Sequence, residues 1–457
     1  MGERKRAEAA AALGRWTEPE EVLAQGRALR AAVAHEEHRA MSIASNRPSV
    51  VDYVEATNQG RLPELVALRV GRMLASPFSF YRGTAGLMAG DLAEGVRSGL
   101  DAQLCGDAHA ANFGLYGTPE GQIVMDINDF DETLPGPWEW DLKRLAASLV
   151  LAGRQGGVSE KGCRDAAEDA VRAYRGAAKH LAELPFLESW SALGDESVLS
   201  KSKADDLLDE FGKAASKARK NTSAKVAAKW TRREGEHWRF VADPPVLTRI
   251  PDATATAVVD ALPSYVDTLR ESRYSLIMRY GVSDVAFRVV GTGSVGLRNY
   301  LILLHGNGDE ALVLQAKEAR PSALAPFLDV PPAKHEGKRI VHGARLVQAE
   351  TDILLGWTTI EGRHFIVRQF RNRKGEIDAT TLKRDDLDDY GRFAGALLAR
   401  AHSRSVDPRL LAGYLADGAG LDESIAGYAQ EYADRTEADH EELVKAVKAG
   451  RLPAHVE

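Results

Sequence analysis

The tightest constraint on this chain is a glycine loop, Gly291-Thr292-Gly293-Ser294-Val295-Gly296, set between two runs of β-branched and aliphatic residues. Glycines spaced in this way let backbone N–H groups approach phosphate oxygens, because no Cβ stands between them. A dinucleotide-binding unit needs strand, glycine loop and helix in that order. Here Leu297 to Leu304 reads as a strand that turns back through His305-Gly306-Asn307-Gly308 into a further strand, Leu312 to Lys317. A glycine loop joining two antiparallel strands, with a lysine on the next, asks for an antiparallel sheet that grips phosphates.

The pattern continues with a Pro-rich break around Pro321 to Pro332, a helix expected from Lys338 to Ala349, and strands from Ile353 to Ile360 and His364 to Phe370. Together these predict a five-stranded antiparallel sheet with one helix. The rest of the chain reads as helical. Its first hundred residues are Ala-rich and charged, broken at Asn46-Arg47-Pro48 and Ser76-Pro77. A helix from near Asp141 carries Leu142, Leu145, Ala146 and Leu149 on one face, and another runs through Tyr390, Phe393, Leu397 and Ala401 to His402. The Lys- and Ala-rich stretch from Ser200 to Arg233 reads as a solvated helical face or connector.

The densest polar cluster lies far ahead of the glycine loop, in Leu104-Cys105-Gly106-Asp107-Ala108-His109-Ala110-Ala111-Asn112. An aspartate that orients or deprotonates a hydroxyl, followed in the same loop by an amide oxygen able to hold Mg, is what phosphoryl transfer requires. A short strand, Ile123-Val124-Met125, then leads to Asp126, Asp129 and Asp131, carboxylates suited to the hard Mg ion that bridges ATP phosphates. Taken singly, such aspartates and asparagines also cap turns and helices.

At 457 residues the chain is long enough for two or three structural units. Apolar residues at 44% and charged residues at 27% suit a folded globular protein. A net charge of -7 argues against a protein that binds nucleic acid by neutralising many phosphates. No apolar run approaches the roughly 18 residues of a membrane helix, and the first residues lack the apolar core of a secretory signal. Cys105 and Cys163 are too few for a disulfide framework and suit a reducing cytoplasm as free thiols.

Residues Gly106 to Asn112 resemble the catalytic-loop motif of the aminoglycoside phosphotransferase and choline kinase branch of kinase-like enzymes, which reads H-G-D-x-H-x-x-N. Asp129-Phe130-Asp131 resembles the metal motif of that branch, and Asp141-Leu142 the pair that opens its next helix. The resemblance implies that Asp107 is catalytic with His109 beside it, that Asn112 and Asp129 hold Mg, and that Asp141 supports the loop from below. Cys105 stands where the motif has its first His. Asp131 stands where the metal motif has Gly, so Asp126 or Asp131 could take over the metal role.

On the same footing, Leu312 to Lys317 resembles the V-A-I-K strand of protein kinases. Gly291, Thr292, Gly293, Ser294, Gly296 and Lys317 would then hold ATP phosphates. The helix after that strand offers no central Glu to anchor Lys317, only Glu336 before it and Gln348 and Glu350 near its end, so the partner of Lys317 stays unassigned. Kinases run from glycine loop to catalytic loop, whereas here Asp107 precedes Gly291, which implies a circular permutation. The phrases SPFSFYRG, LCGDAHAANFG and RAHSRSVDP also resemble the bacterial domain-of-unknown-function family 2252, from about residue 45 onward. That resemblance adds Arg82, as a phosphate ligand or as the pin of a helix break.

The expected architecture is therefore α+β: a bilobal, circularly permuted kinase-like fold with an antiparallel-sheet nucleotide lobe over 276–375. The large helical lobe would be built from 1–275 and 376–457. The expected function is Mg-dependent transfer of the ATP γ-phosphate to a hydroxyl of a small-molecule acceptor in the cytoplasm, with no nucleic acid or membrane partner. A nucleotide-binding pseudokinase and a nucleotidyltransferase on the same fold stay open as alternatives. A two-metal phosphoesterase, suggested by Asp107-x-His109, lacks the downstream G-D-x-x-D and G-N-H elements.

Overall fold

Every residue from Trp138 to Gly153 in the Trp138–Gln155 helix is buried. A helix buried all round lies inside a layer of other helices and not at its surface, so the single apolar face expected from Leu142, Leu145 and Leu149 understates the packing. Helices Glu160–Glu183, Arg384–His402 and Ala419–Lys448 surround it. Residues from both halves of the chain, such as Phe78, Tyr81, Leu142, Tyr174, Phe393 and Tyr428, share this one core. Helices Glu160–Glu183 and Arg384–His402 touch backbone to backbone. A Cβ on Gly395 would lie 2.1 Å from the Ala170 carbonyl oxygen, and one on Gly391 would lie 2.7 Å from that of Ala166.

This is a computed structural model, and it describes residues 16–118, 120–191, 207–235, 237–289, 291, 293–308 and 310–455. Among them, no helix is long and apolar enough to cross a membrane.

The second unit is a six-stranded antiparallel sheet in the order Gly356–Ile360, Arg363–Gln369, Ala311–Glu318, Asn299–His305, Gly281–Arg288, Leu247–Arg249. The five longer strands coincide with the apolar runs of the sequence, and the central two, Asn299–His305 and Ala311–Glu318, are buried on both faces. Leu247–Arg249 is only three residues long, too short for alternation to register. On one face Tyr300, Ile302, Leu304, Leu314 and Val367 pack with Val258 and Tyr265 of the preceding helices. The sheet unit therefore begins before residue 247 and not at 276.

The other face packs Leu301, Leu303 and Val313 with Val226, Ala227 and Phe370. Val226 and Ala227 belong to helix Ser223–Trp230, so the Lys-rich stretch is no mere solvated connector. Lys213, Lys217, Lys225 and Lys229 are exposed, while Phe211, Ala215, Ala218, Val226 and Ala227 form a narrow buried stripe beneath them. Small apolar residues carry that stripe, and the lysines mask it in the sequence. The first residues of the stretch, up to 206, lie outside the described residues.

A small three-stranded sheet joins the two units. Phe113–Gly117 pairs with Ile123–Ile127 on one side and with Gly375–Glu376 on the other. The chain leaving the large sheet after Gln369 thus returns directly onto the hairpin that follows the polar loop.

Candidate active site

The polar loop is held from below by the buried helix Trp138–Gln155. The Asp141 carboxylate accepts the N–H groups of Cys105 at 2.7 Å and Gly106 at 3.0 Å, and His402 Nε2 lies 3.4 Å away. Ser148 Oγ accepts the Ala110 N–H at 2.8 Å, and the Tyr390 hydroxyl donates to the Ala110 carbonyl. Gly106 has φ +82°, and a Cβ there would lie 2.3 Å from the Glu132 carbonyl oxygen. Glycine at this point seats the polar loop against the turn that carries Asp129 and Asp131.

Arg144 Nε donates to Asp107 Oδ1 at 2.6 Å. The Arg144 guanidinium is buried over the Tyr81 ring, 4.2 Å from its centroid, and Nη2 donates to the Tyr81 carbonyl at 2.9 Å. His109 Nε2 lies 3.6 Å from Asp107 Oδ2, beyond hydrogen-bond length, and its buried Nδ1 has no partner. Burial and the cations Arg82 and Arg144 outweigh the pull of Asp107 and lower its pKa to about 4, so His109 is neutral at pH 7.

Asn112 locks two loops together. Its Nδ2 donates to the carbonyls of Asp107 at 2.9 Å and Asp129 at 3.0 Å, and its Oδ1 accepts the Asp129 N–H at 2.8 Å. One lone pair of that oxygen stays available.

From the large sheet, Lys317 Nζ reaches 3.0 Å from Asp129 Oδ2 and 2.6 Å from Asp131 Oδ2. The partner that the sequence left unassigned is thus the aspartate pair itself. Glu336 pairs with Arg339 at 2.6 Å. The Lys317 side chain is 4% exposed whereas that of Asp129 is 45% exposed, so one side of the pair opens to the cleft. Burial raises the Asp129 pKa, but Lys317 and Arg368 outweigh it and hold this carboxyl well below the usual range. Burial and repulsion from Asp129 push Asp131 up. Asp131 Oδ1 is buried with no hydrogen-bond partner.

Asp126 does not join this cluster. Its carboxylate binds Arg400 and accepts the Ala349 N–H at 3.1 Å, deep between the units.

Gly291 and Gly296 take positive φ, +61° and +84°. The glycine loop is tied to helix Pro63–Leu74 and the residues before it. Arg72 Nη1 donates to the Gly291 carbonyl at 2.6 Å, Arg61 Nη1 to that of Val295 at 2.6 Å, and Leu62 N–H to that of Gly296 at 2.8 Å. The Ser294 carbonyl closes a turn by accepting the Leu297 N–H at 3.1 Å. Gly293 passes over Arg82, whose carbonyl oxygen lies 3.6 Å from a Cβ built there. Arg82 Nε is buried without a hydrogen-bond partner. Thr292 lies outside the described residues.

The fold thus brings Asp107, His109, Asn112, Asp129, Asp131 and Lys317 into one cluster, with the glycine loop and Arg82 at its edge. Beside Asp129 a small recess of about 50 Å³ is lined by Asn128, Phe130, Arg368, Asn372 and Lys374 among others. Burial and neighbouring Arg368 lower the Lys374 ammonium to about 7. Sequence reasoning missed Arg144, although Asp141-x-x-Arg144 places both on one helix face beneath the loop. Among the described residues no three His, Cys, Asp or Glu side chains converge on a metal position.

Compared with known proteins, residues 61–446 match the model of the family described as "Uncharacterized protein conserved in bacteria (DUF2252)". No curated protein and no solved structure matches the chain.

Proposed function

The chain belongs to the DUF2252 family of bacterial proteins, and we propose that it is an ATP- and Mg-dependent phosphotransferase of circularly permuted, kinase-like architecture. Its acceptor is a hydroxyl of a small molecule. The observation that carries this reading is the pairing of Lys317 with Asp129 and Asp131 across two units. A lysine on the second strand after a glycine loop meets, in space, the carboxylates that follow a catalytic-type loop. The order of the sheet agrees: the glycine loop joins neighbouring antiparallel strands Gly281–Arg288 and Asn299–His305, and Lys317 lies on the third.

The side chains fit a divalent ion. Asp129 and Asp131 converge on one cation, the Lys317 ammonium, and the buried Asp131 Oδ1 lacks a partner. Mg takes one or two carboxylates and completes its shell with water and phosphate oxygens. Asp129 and Asp131 with the amide oxygen of Asn112 would hold it, and its chemistry there is to neutralise charge on the phosphates. Lys317 supplies a second positive charge for the same phosphates.

Asp107 orients the acceptor hydroxyl and receives its proton, with Arg144 fixing the direction of the carboxylate. Neutral His109 packs beside it against Phe78 and braces the loop without adding charge. Positioning and electrostatics supply most of phosphoryl-transfer catalysis, which suits a site where Arg144 fixes Asp107 and Asn112 ties the two loops together. The test is an assay of ADP release with Mg and a panel of hydroxyl compounds. Asp107→Asn is expected to bind Mg-ATP as wild type does and to lose turnover by about 100-fold or more; full turnover in that variant would overturn the reading.

A further inference from the structure

Four arginines with no carboxylate partner among the described residues crowd the junction of the glycine loop, the polar loop and the helices before residue 75. Arg61 Nε donates to the Thr57 carbonyl at 2.8 Å and its Nη1 to that of Val295 at 2.6 Å. Arg69, only 1% exposed, donates from Nη1 to Asn58 Oδ1 at 2.7 Å, and its Nε is buried without a partner. Arg320 reaches the Thr57 carbonyl at 3.5 Å. The Arg82 side chain makes no described hydrogen bond, and its Nε is buried.

Several other arginines at buried positions pair with carboxylates, although Arg404, like the four here, meets only backbone carbonyls, those of Gln348 and Trp190. Arg47 binds Asp91 and Asp439, Arg144 binds Asp107, and Arg400 binds Asp126. The four here have neutral partners at best; Arg69 is buried and Arg61, Arg82 and Arg320 are half-buried, and a guanidinium drawn from water without counter-charge is costly. Burial and repulsion among Arg61, Arg69 and Arg320 lower Arg61 to about 9 and Arg69 to about 10. The nearby carboxyl, Glu132, accepts the Ala323 N–H, and burial pushes it up to about 7. It therefore offsets only part of the positive charge.

The cluster adjoins the reacting end of the site. Gly106, next to Asp107, rests on Glu132; Gly296 packs on Arg61, whose Cβ lies 3.0 Å from a Cβ built on it; Gly293 lies over the Arg82 backbone carbonyl, and the Arg82 charge acts on His109 of the polar loop. Planar guanidinium groups match phosphate oxygens in pairs. We propose that Arg61, Arg69, Arg82 and Arg320 form an anion subsite that holds a phosphate group already carried by the acceptor. The acceptor is then a phosphorylated small molecule with a free hydroxyl, which the subsite presents to Asp107. The anion subsite stands on the arginines themselves, while its assignment to the acceptor rests on the phosphotransferase reading.

The test is calorimetric titration of inorganic phosphate into the full chain, with and without saturating Mg and a non-hydrolysable ATP analogue, at constant ionic strength set with potassium chloride. Wild type is expected to bind phosphate in both cases. Arg82→Gln and Arg320→Gln, at half-buried positions that tolerate truncation better than Arg69, should each weaken phosphate binding about 10-fold or more. Both should leave affinity for the analogue within about 2-fold. Absence of phosphate binding, or equal binding by the variants, would overturn the subsite. Displacement of phosphate by the analogue, with loss of analogue affinity in the arginine variants, would overturn its assignment to the acceptor. Phosphate binding without any analogue binding would overturn the phosphotransferase reading and leave the anion subsite standing.

Discussion

Arg144 Nε lies 2.6 Å from Asp107 Oδ1, and the same guanidinium is fixed by the Tyr81 carbonyl and stacked on the Tyr81 ring. Asp107 is only partly exposed, at 22% of its side chain, so its direction is set by this contact and not by solvent. Arg144 is thus a positioning residue for the proposed chemistry.

Replacing it by glutamine should lower kcat by about 100-fold, the cost of a small misplacement of a reacting group. Mg-ATP affinity should stay within about 2-fold, because Lys317 and Asp129 do not touch Arg144. A parallel loss of kcat and ATP affinity would point to general unfolding and contradict the positioning role.

Helix packing gives a second expectation. A Cβ on Gly395 would meet the Ala170 carbonyl oxygen at 2.1 Å, and backbone cannot yield as a flexible side chain can. Gly395→Ala should cost about 3 kcal/mol in urea or guanidinium unfolding through overpacking. Gly176→Ala, where a Cβ meets nothing within 4 Å, should change stability by no more than a few tenths and in the favourable direction.

Parts of the site were legible in the sequence and parts were not, for different reasons. The glycine loop, its flanking strands and Lys317 were legible because the apolar β-branched runs and the hairpin turn reinforce one another over many residues. The Asp107 to Asn112 loop was legible because several functional residue types share one short stretch. Arg144 was not, since an arginine in a helix reads as solvated until the helix proves to be buried all round. Strand Phe113–Gly117 was masked by the polar loop just before it, and Leu247–Arg249 was too short to show a period. The partner of Lys317 was sought on the following helix, where kinases keep it, and lies instead in Asp129 and Asp131, close only after folding. The arginine cluster joins one segment over residues 61–82 to Arg320, far along the chain, and no local pattern marks it.

Acid sensitivity follows from His38, which is fully buried and hydrogen-bonded through Nε2 to the Tyr414 hydroxyl at 2.7 Å. Burial and the nearby Lys143 lower its pKa from 6.5 to about 3. The unfolded chain binds this proton more readily than the folded one, so the contribution is complete above pH 6.5 and is lost as pH falls from 6.5 toward 3. Its full size is on the order of 5 kcal/mol. Chemical unfolding measured across that range should show the decline, and His38→Gln should flatten it; an unchanged slope in the variant would contradict the assignment.

Thiol chemistry gives a further check. Burial and the Asp141 carboxylate push the Cys105 thiol far up, and burial takes Cys163 up to about 11. Both cysteines are free and buried. Neither should react with iodoacetamide in the native protein at pH 8, and both should react once it is unfolded. Rapid native labelling of Cys105, seen by mass spectrometry, would show that the polar loop opens.

The central claim is that Lys317 and Asp129, brought together from opposite ends of the fold, form one Mg-dependent nucleotide site. Isothermal titration of ATP with and without Mg, on wild type, Lys317→Ala and Asp129→Ala, tests it most directly. The account predicts binding by wild type that needs Mg and that falls by at least about 100-fold in each variant. Binding that ignores Mg, that survives both substitutions, or that wild type lacks altogether would contradict it.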